Sequence, residues 1–393
     1  MKILCVNAGS STLKFRLYEM PEEKMLMKGN VERIGLPDGM YSIRIGNEKI
    51  EKDANIPDHA EAINILLKEL VDNKLINSLD EIKAVGHRVV HGGNKYSKSV
   101  VLDKRVMREI TEISSLAPLH NPANLTGAAA FMEAIPGSVN VACFDTAFHQ
   151  TMKDSTYLYP VPYEWYVKYD VRKYGFHGLS HKFITETMKE RLNNKKPNLI
   201  ICHIGNGASV SAIKDGICID TSMGFTPLPG IMMGTRSGDI DPSIVSYVAL
   251  KEGKDAADVV NDLNKKSGFL GLSGVSNDFR DVYQGLLDGN ERCKLAIDKY
   301  VKTVVNYIAM YYVELGGIDI LCFTAGLGEN AIPVREMICD KLACLGIKID
   351  KEKNNTRGEV AELSTDDSTA KVFVVPTNEE LMIAEDTYEL VNK

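Results

Sequence analysis

No stretch of this chain approaches the roughly 18 consecutive apolar residues that a membrane-spanning helix needs. The opening residues MKILCVNAGSSTLK reach polar and glycine residues too early to form the apolar heart of a signal peptide, so the chain is expected to be cytoplasmic. Basic residues are not in excess: 46 Lys and Arg stand against 53 Asp and Glu, a formal charge of −7. That balance argues against a nucleic acid or a membrane surface as partner, since either calls for a concentrated basic face. None of the eight cysteines (Cys5, Cys143, Cys202, Cys218, Cys293, Cys322, Cys339, Cys344) forms a C-x-x-C pair, and most lie in apolar runs such as LIICHIG and DILCFTAG. They are expected to be reduced core residues, neither disulfides nor zinc ligands. Proline/serine linkers and low-complexity stretches are also missing, so nothing marks a clean domain border within 393 residues, a length that suggests two or three domains.

What the chain does contain is a unit that occurs twice: an apolar strand, a glycine-hydroxyl turn and a second, alternating strand. The first copy is ILCVNAGSSTLKFRLYE, where Leu13, Phe15 and Leu17 alternate with Lys14 and Arg16; the second is LIICHIGNGASVSAIKDG. A third strand, DILCFTAGLGEN, runs into a glycine turn after an apolar-periodic helix around Ala296–Leu315 that Gly316 and Gly317 end. Two such hairpins about two hundred residues apart suggest two related α/β halves offering their turns to a shared cleft. Strands AVGHRVV, NVACFDTAF and KVFVVP alternate with helices, among them DHAEAINILLKELVDN with Asp58 and Glu61 at capping-box spacing, and the last helix, where Thr377 and Glu380 repeat that spacing. The border is expected near Gln150, and the polar stretch KEKNNTRGEVAELSTDDS reads as a surface excursion.

In Asn7-Ala8-Gly9-Ser10-Ser11-Thr12-Leu13-Lys14 the small residues let the backbone approach an anion, hydroxyls can donate to phosphate oxygens, and Lys14 adds a point charge. The order G-x-x-x-x-G-K-[ST] is absent, so this is not a Walker A loop, and a plain hairpin turn is the alternative. His203-Ile204-Gly205-Asn206-Gly207 and Gly326-Leu327-Gly328-Glu329-Asn330 favour the phosphate reading, while Asn206-Gly207 also suits a type I′ turn. Arg88 and Arg236 sit in glycine-flanked apolar surroundings, where each needs an anion: a substrate group, or else Asp145 or Asp239. Asp145 ends an apolar strand, a position that serves sites and caps alike. His87/His91 and His177/His181 show H-x-x-x-H spacing without the glutamate of H-E-x-x-H, so metal binding by them is not expected. His177 is better read as a donor to developing negative charge, and His120 and His149 as structural.

Taken together, VNAGSSTLK, GHRVVHGG, LAPLHNPAN, FDTAFH, YGFHGLSH, HIGNGAS, DTSMGFTPLPGIMMGTRSGDIDP, SGVSNDFRD, TAGLGEN and PTNEE resemble the acetate kinase family, from the first strand to the last helix. The resemblance implies an α/β protein of the acetate and sugar kinase, Hsp70 and actin superfamily. Its fold would be two duplicated actin-like (ribonuclease H-like) domains with a nucleotide cleft between them, residues 1–150 and 151–376, with the helix at about 377–393 packing back on the first. It implies reversible transfer of the γ-phosphoryl group of ATP to acetate, giving acetyl phosphate and ADP. Mg²⁺ would be required, Mn²⁺ able to replace it, and a homodimer formed through the second domain.

Carried over by motif, Asn7 and Glu379 would hold the metal, and Ser10, Thr12 and Lys14 would touch phosphates. His203, Ile204, Gly205, Asn206, Gly207, Asp278, Phe279, Arg280, Gly326, Leu327, Gly328, Glu329 and Asn330 would form the nucleotide site. Arg88 would bind the acetate carboxylate, and Asp145, His177 and Arg236 would be catalytic. Val90, Leu119, Phe176 and Pro227 match the apolar pocket for the methyl group. Two residues depart from the family pattern: Thr12 stands for a third serine, and Pro229 for the glutamate of P-L-E-G.

Acetate is already ionised at neutral pH, so it needs no general base, and the difficulty is bringing an anion to a polyanion. Asp145 is therefore expected to act through the metal or by orienting an arginine, not by taking a proton. A two-carbon ligand gains at most ~1.5 kcal/mol per heavy atom, so weak acetate binding is expected. One methylene discriminates by only ~1–3 kcal/mol, so propionate should also serve. A propionate or butyrate kinase is the nearest rival. An actin-like or Hsp70-like ATPase would not need the carboxylate-binding arginine, and a sugar kinase would want a polar pocket.

Overall fold

The period of two at Leu13, Phe15 and Leu17 makes Thr12–Glu19 a strand with one buried face, and it lies in the first of two sheets. The computed structural model describes residues 1–393 and divides into two compact units, Met1–Phe148 with Asn378–Lys393, and His149–Thr377.

In the first unit β1 (Lys2–Ala8), β2 (Thr12–Glu19) and β3 (Lys24–Glu32) form an antiparallel meander that β4 (Met40–Ile45) and β5 (Glu48–Asp53) extend. β6 (Ile82–Val89) joins β1 in parallel, β8 (Val139–Phe144) joins β6, and β7 (Val100–Val101) closes the edge, giving the order β5-β4-β3-β2-β1-β6-β8-β7. Helix α1 (His59–Asp72) begins where the Asp58 carboxylate accepts from the Glu61 amide at 2.9 Å. Its Leu66 and Leu70 join Phe131 of α2 (Asn121–Ala134) over Leu4, Val6, Leu13, Phe15 and Leu17.

The C-terminal helix (Glu379–Val391) packs against β1 and β6 and buries Met382 and Ile383. Gly86 makes that crossing fit, because a Cβ there would stand 2.4 Å from both Ile383 Cγ2 and Thr387 Oγ1. The helix is capped by Asn378, whose Oδ1 accepts from the Leu381 amide at 3.3 Å and from Arg16 at 2.7 Å. Thr377 is not the cap expected from the capping-box spacing: its amide donates to Glu329 and its hydroxyl pairs with Ser180.

In the second unit β9 (Leu199–Ile204), β10 (Ala208–Lys214) and β11 (Ile217–Thr221) repeat the meander. β12 (Ile320–Thr324) and β14 (Lys371–Val374) continue in parallel, with β13 (Ala361–Glu362) at the edge. Without their edge strands the two sheets read β3-β2-β1-β6-β8 and β11-β10-β9-β12-β14, the same order and the same strand senses. This is a duplicated ribonuclease H-like, actin-like α/β core. Its helices include α3 (Gly178–Arg191), α4 (Phe279–Leu287) and α5 (Glu291–Leu315), the last ended by Gly316 at φ 73°.

Two expectations need correction. TAGLGEN is not a turn but a short helix, α6 (Ala325–Asn330), followed by α7 (Ile332–Leu342). The polar stretch after Asp350 is not merely a surface excursion, since Asn354 within it is fully buried against Arg335. No helix is long and apolar enough to cross a membrane. All eight cysteines are free, and only Cys344 is exposed.

Because the Cβ of an alanine would overlap Ile383 and Thr387, Gly86→Ala is expected to destabilise the fold by about 1–3 kcal/mol. Urea unfolding of the variant would show it, and an unchanged midpoint would mean that the C-terminal helix is free to shift.

Candidate active site

In the first unit the β1–β2 turn is tight. The Gly9 amide donates to the Thr12 carbonyl at 2.8 Å, and a Cβ on Gly9 would stand 2.8 Å from Thr12 Oγ1. Ser10 is exposed at its tip, and Asn7 and Lys14 face each other as cross-strand partners. Beside β1, the parallel strands β6 and β8 end level with one another, and there Arg88 meets Asp145. Arg88 Nε donates to Oδ1 at 2.9 Å and Nη2 to Oδ2, a two-pronged pair with Asp145 almost fully buried. Burial works against the Arg88 charge, yet the Asp145 carboxylate outweighs it and raises the guanidinium pKa. The salt-bridge alternative is therefore realised for Arg88, with Nη1 left over for a further anion.

Glu379, the first residue of the C-terminal helix, completes this group. Burial pushes its carboxyl up to about 7, with Asp145 and Glu380 adding to the rise and Arg88 and Lys14 opposing it. Asn7 and Glu379 offer oxygen atoms to a metal, both oxygens of Asp145 being engaged by Arg88, and no cluster of three or more His, Cys, Asp or Glu side chains forms a cage. That set fits Mg²⁺, which is usually held by one or two carboxylates together with substrate phosphates. Val90 is buried and Leu119 is 73% exposed.

In the second unit His177 takes the left-handed conformation (φ 58°, ψ 25°) at the start of α3. Its Nδ1 lies 3.0 Å from Ser209 Oγ, which also meets His181 Nε2 at 2.8 Å. The H-x-x-x-H spacing is thus spent on a shared serine hydroxyl. Burial, with His149 and His203 adding, pulls the His181 pKa well below its ordinary value and keeps that ring neutral. The His177 ring stacks on His203 at 4.2 Å, while His203 Nδ1 meets Ser180 Oγ at 2.7 Å. His149, buried, meets the Phe176 carbonyl at 2.9 Å.

Arg236 and His177 converge on the β9–β10 turn. A Cβ on Gly207 would lie 3.4 Å from Arg236 Nη1 and 3.6 Å from His177 Nε2. Arg236 does not pair with Asp239, which instead accepts from the Gly230 amide and the Tyr307 hydroxyl. Its Nη1 donates to the Pro227 carbonyl at 3.2 Å, and burial lowers its pKa. The turn is not type I′, since neither Asn206 nor Gly207 has positive φ. Asn206 faces Gly234 instead, where any side chain would collide with its Oδ1.

The remaining nucleotide candidates divide. Glu329 turns its carboxylate back to cap its own helix, accepting from the Ala325 amide at 2.8 Å and the Thr377 amide at 3.0 Å. Gly326 and Asn330 are exposed, Leu327 is half-buried and Gly328 is buried. Asp278 caps α4 and pairs with the exposed Arg280. The side chains of Ile204 and Phe279 are buried, Phe279 beside Phe269 and Tyr283.

Three positioning residues escaped the sequence reading. Asn124 ties the ends of β1 and β6, donating to the Ala8 carbonyl at 2.7 Å and accepting from the Val90 amide at 3.1 Å. Ser209 holds His177. Arg335, fully buried, donates to the carbonyls of Gly328, Glu329, Asn354 and Thr356 and so pins α6. The repeated Asn of LAPLHNPAN was the one available signal; a lone serine in a strand and an arginine in a helix carry none.

The acetokinase family model matches residues 2–385. The chain is 53% identical over 394 residues, all of both chains, to the acetate kinase of Acholeplasma laidlawii. Among solved structures it is similar to the acetate kinase of Porphyromonas gingivalis, with TM-score 0.94 and 44% identity over 99% of each chain. It is equally similar in fold to a propionate kinase from Francisella tularensis, with TM-score 0.94 and 42% identity over 99% of each chain.

A carboxyl whose folded pKa is raised favours the protonated fold, so its benefit is complete below the ordinary value of 4.5 and is lost as pH rises to about 7. Glu379→Gln, which cannot ionise, is expected to remove that part of the decline in thermal midpoint across this window. Parallel pH–stability curves for variant and wild type would refute the assignment.

Proposed function

The chain belongs to the acetokinase family, and from that premise we propose how its own residues carry the reversible transfer of the ATP γ-phosphoryl group to acetate. The observation that carries the reading is Arg88, locked by two hydrogen bonds to a buried carboxylate and still holding an Nη1 group for a second anion. An arginine fixed this way can orient a small carboxylate without paying the entropy of its own long side chain.

Arg88 holds acetate by its carboxylate, and Val90, Leu119, Phe176 and Pro227 contact the methyl group. One acetate oxygen attacks the γ-phosphorus in line. The bond from that phosphorus to the β–γ bridging oxygen breaks, and the electron pair leaves with ADP. No proton needs to move, because acetate is already an anion, so Asp145 serves by positioning Arg88. His177 and Arg236 donate to the phosphoryl oxygens as charge spreads over them. Ser10, Thr12 and Lys14 hold phosphates, and the turns at Gly205–Gly207 and Gly326–Asn330, with Asp278–Arg280, carry the nucleotide. Mg²⁺, or Mn²⁺ in its place, held by Glu379 with Asn7, supplies positive charge against the triphosphate when bound.

We place the reaction in the cytoplasm and the chain in a homodimer formed through the second unit. Helix Ser243–Glu252 supports the dimer, since it buries none of its residues and exposes Tyr247 and Leu250. A propionate kinase is the second reading, favoured by the likeness to the Francisella tularensis enzyme.

Acyl phosphate formed from acetate, propionate and butyrate and trapped with hydroxylamine should be greatest with acetate, with propionate used less well. A maximum at propionate would establish the second reading. Arg88→Ala should lose about a hundredfold in kcat/KM for acetate, the worth of its charge-assisted hydrogen bonds. Asp145→Asn should raise the KM for acetate and lower kcat together, and near-normal kinetics in that variant would sink the positioning role.

A further inference from the structure

The sheet face turned away from α1 and α2 carries a row of cations that the phosphotransfer does not use. Arg16, Lys28, Arg44 and Lys49 stand on four successive strands, β2 to β5, each the direct cross-strand partner of the next. Their chain neighbours Phe15, Leu17, Met27 and Ile43 point into the core, so the row itself faces outward. Like charges directly opposite one another destabilise a sheet, and here three such pairs stand in line. The ends are compensated, Arg16 by Glu380 at 3.0 Å and Lys49 by Glu51 at 2.6 Å. Lys28 and Arg44, in the middle, have no ion-pair partner.

The row lines a groove of about 360 Å³ that also takes in Lys14, so that five cations face the single carboxylate of Glu380 in a chain of formal charge −7. With neighbouring strands about 4.8 Å apart the row is roughly 14 Å long, more than one phosphate group covers and enough for several in series. Glu51, two residues after Lys49 and so on the same face of β5, is paired with it. With Glu380 at the other end it bounds the positive field, which does not suit an extended polymer or a membrane surface.

We propose that this groove binds a small soluble polyanion bearing two or more phosphate groups, with Lys28 and Arg44 as its central contacts. Lys14 also belongs to the phosphate turn, so the test rests on Lys28 and Arg44. Titration calorimetry of the full chain with inorganic triphosphate at low ionic strength should show two classes of site in the wild type. In Lys28→Ala/Arg44→Ala one class should weaken by about tenfold or more, while acetyl phosphate formation is unchanged. The anion-free thermal midpoint should rise as the opposed charges go, and Lys28→Gln/Arg44→Gln should repeat both results should the alanine variant fold poorly. One class of site in the wild type, or unchanged binding in both variants, would overturn the proposal. Retention on phosphoinositide vesicles without triphosphate binding would overturn it too.

Discussion

A guanidinium and a carboxylate withdrawn from water together set the arrangement of the first unit's candidate site. Each ion alone would cost several kcal/mol to bury, and the two-pronged bond between Arg88 and Asp145 offsets that cost with fixed geometry. The pair is possible because β6 and β8 run parallel and end level, placing residues 57 apart in sequence side by side. Glu379 shares these surroundings: burial raises its carboxyl, Asp145 and Glu380 add to the rise, and Arg88 and Lys14 oppose it.

In the second unit the arginine has no such partner. Arg236 is half-buried with a carbonyl and a thioether for company and no carboxylate, so its environment calls for an anion. His177 stands with it at Gly207, held from behind by Ser209 in a backbone conformation that few residues other than glycine adopt. The strand orders are duplicated, but the chemistry placed on them is not.

Much of this was legible from local pattern. Period-two alternation marked β2, the glycine-hydroxyl turns marked both hairpins, and the apolar stripe ending at Gly316 marked α5, because each of these depends on neighbours within a few residues. Where the reading went astray, distant residues had intervened. Thr377 has the spacing of a cap, but Glu329, 48 residues away, takes its amide. TAGLGEN has the glycines of a turn, but the carbonyls of Gly328 and Glu329 are gathered by Arg335 and the segment closes into a helix.

By itself, then, the sequence determined the hairpins, the helices, the reduced cysteines and, through its ordered motifs, the family. Only the tertiary structure decided which anion each arginine would take. Asp145 and Asp239 were equally available on paper; the first is paired with Arg88, while the second is occupied by the Gly230 amide and Tyr307. The reason is that an ion pair depends on which chain ends meet after folding, and no local spacing encodes the relative placement of two strands or of a loop and a helix.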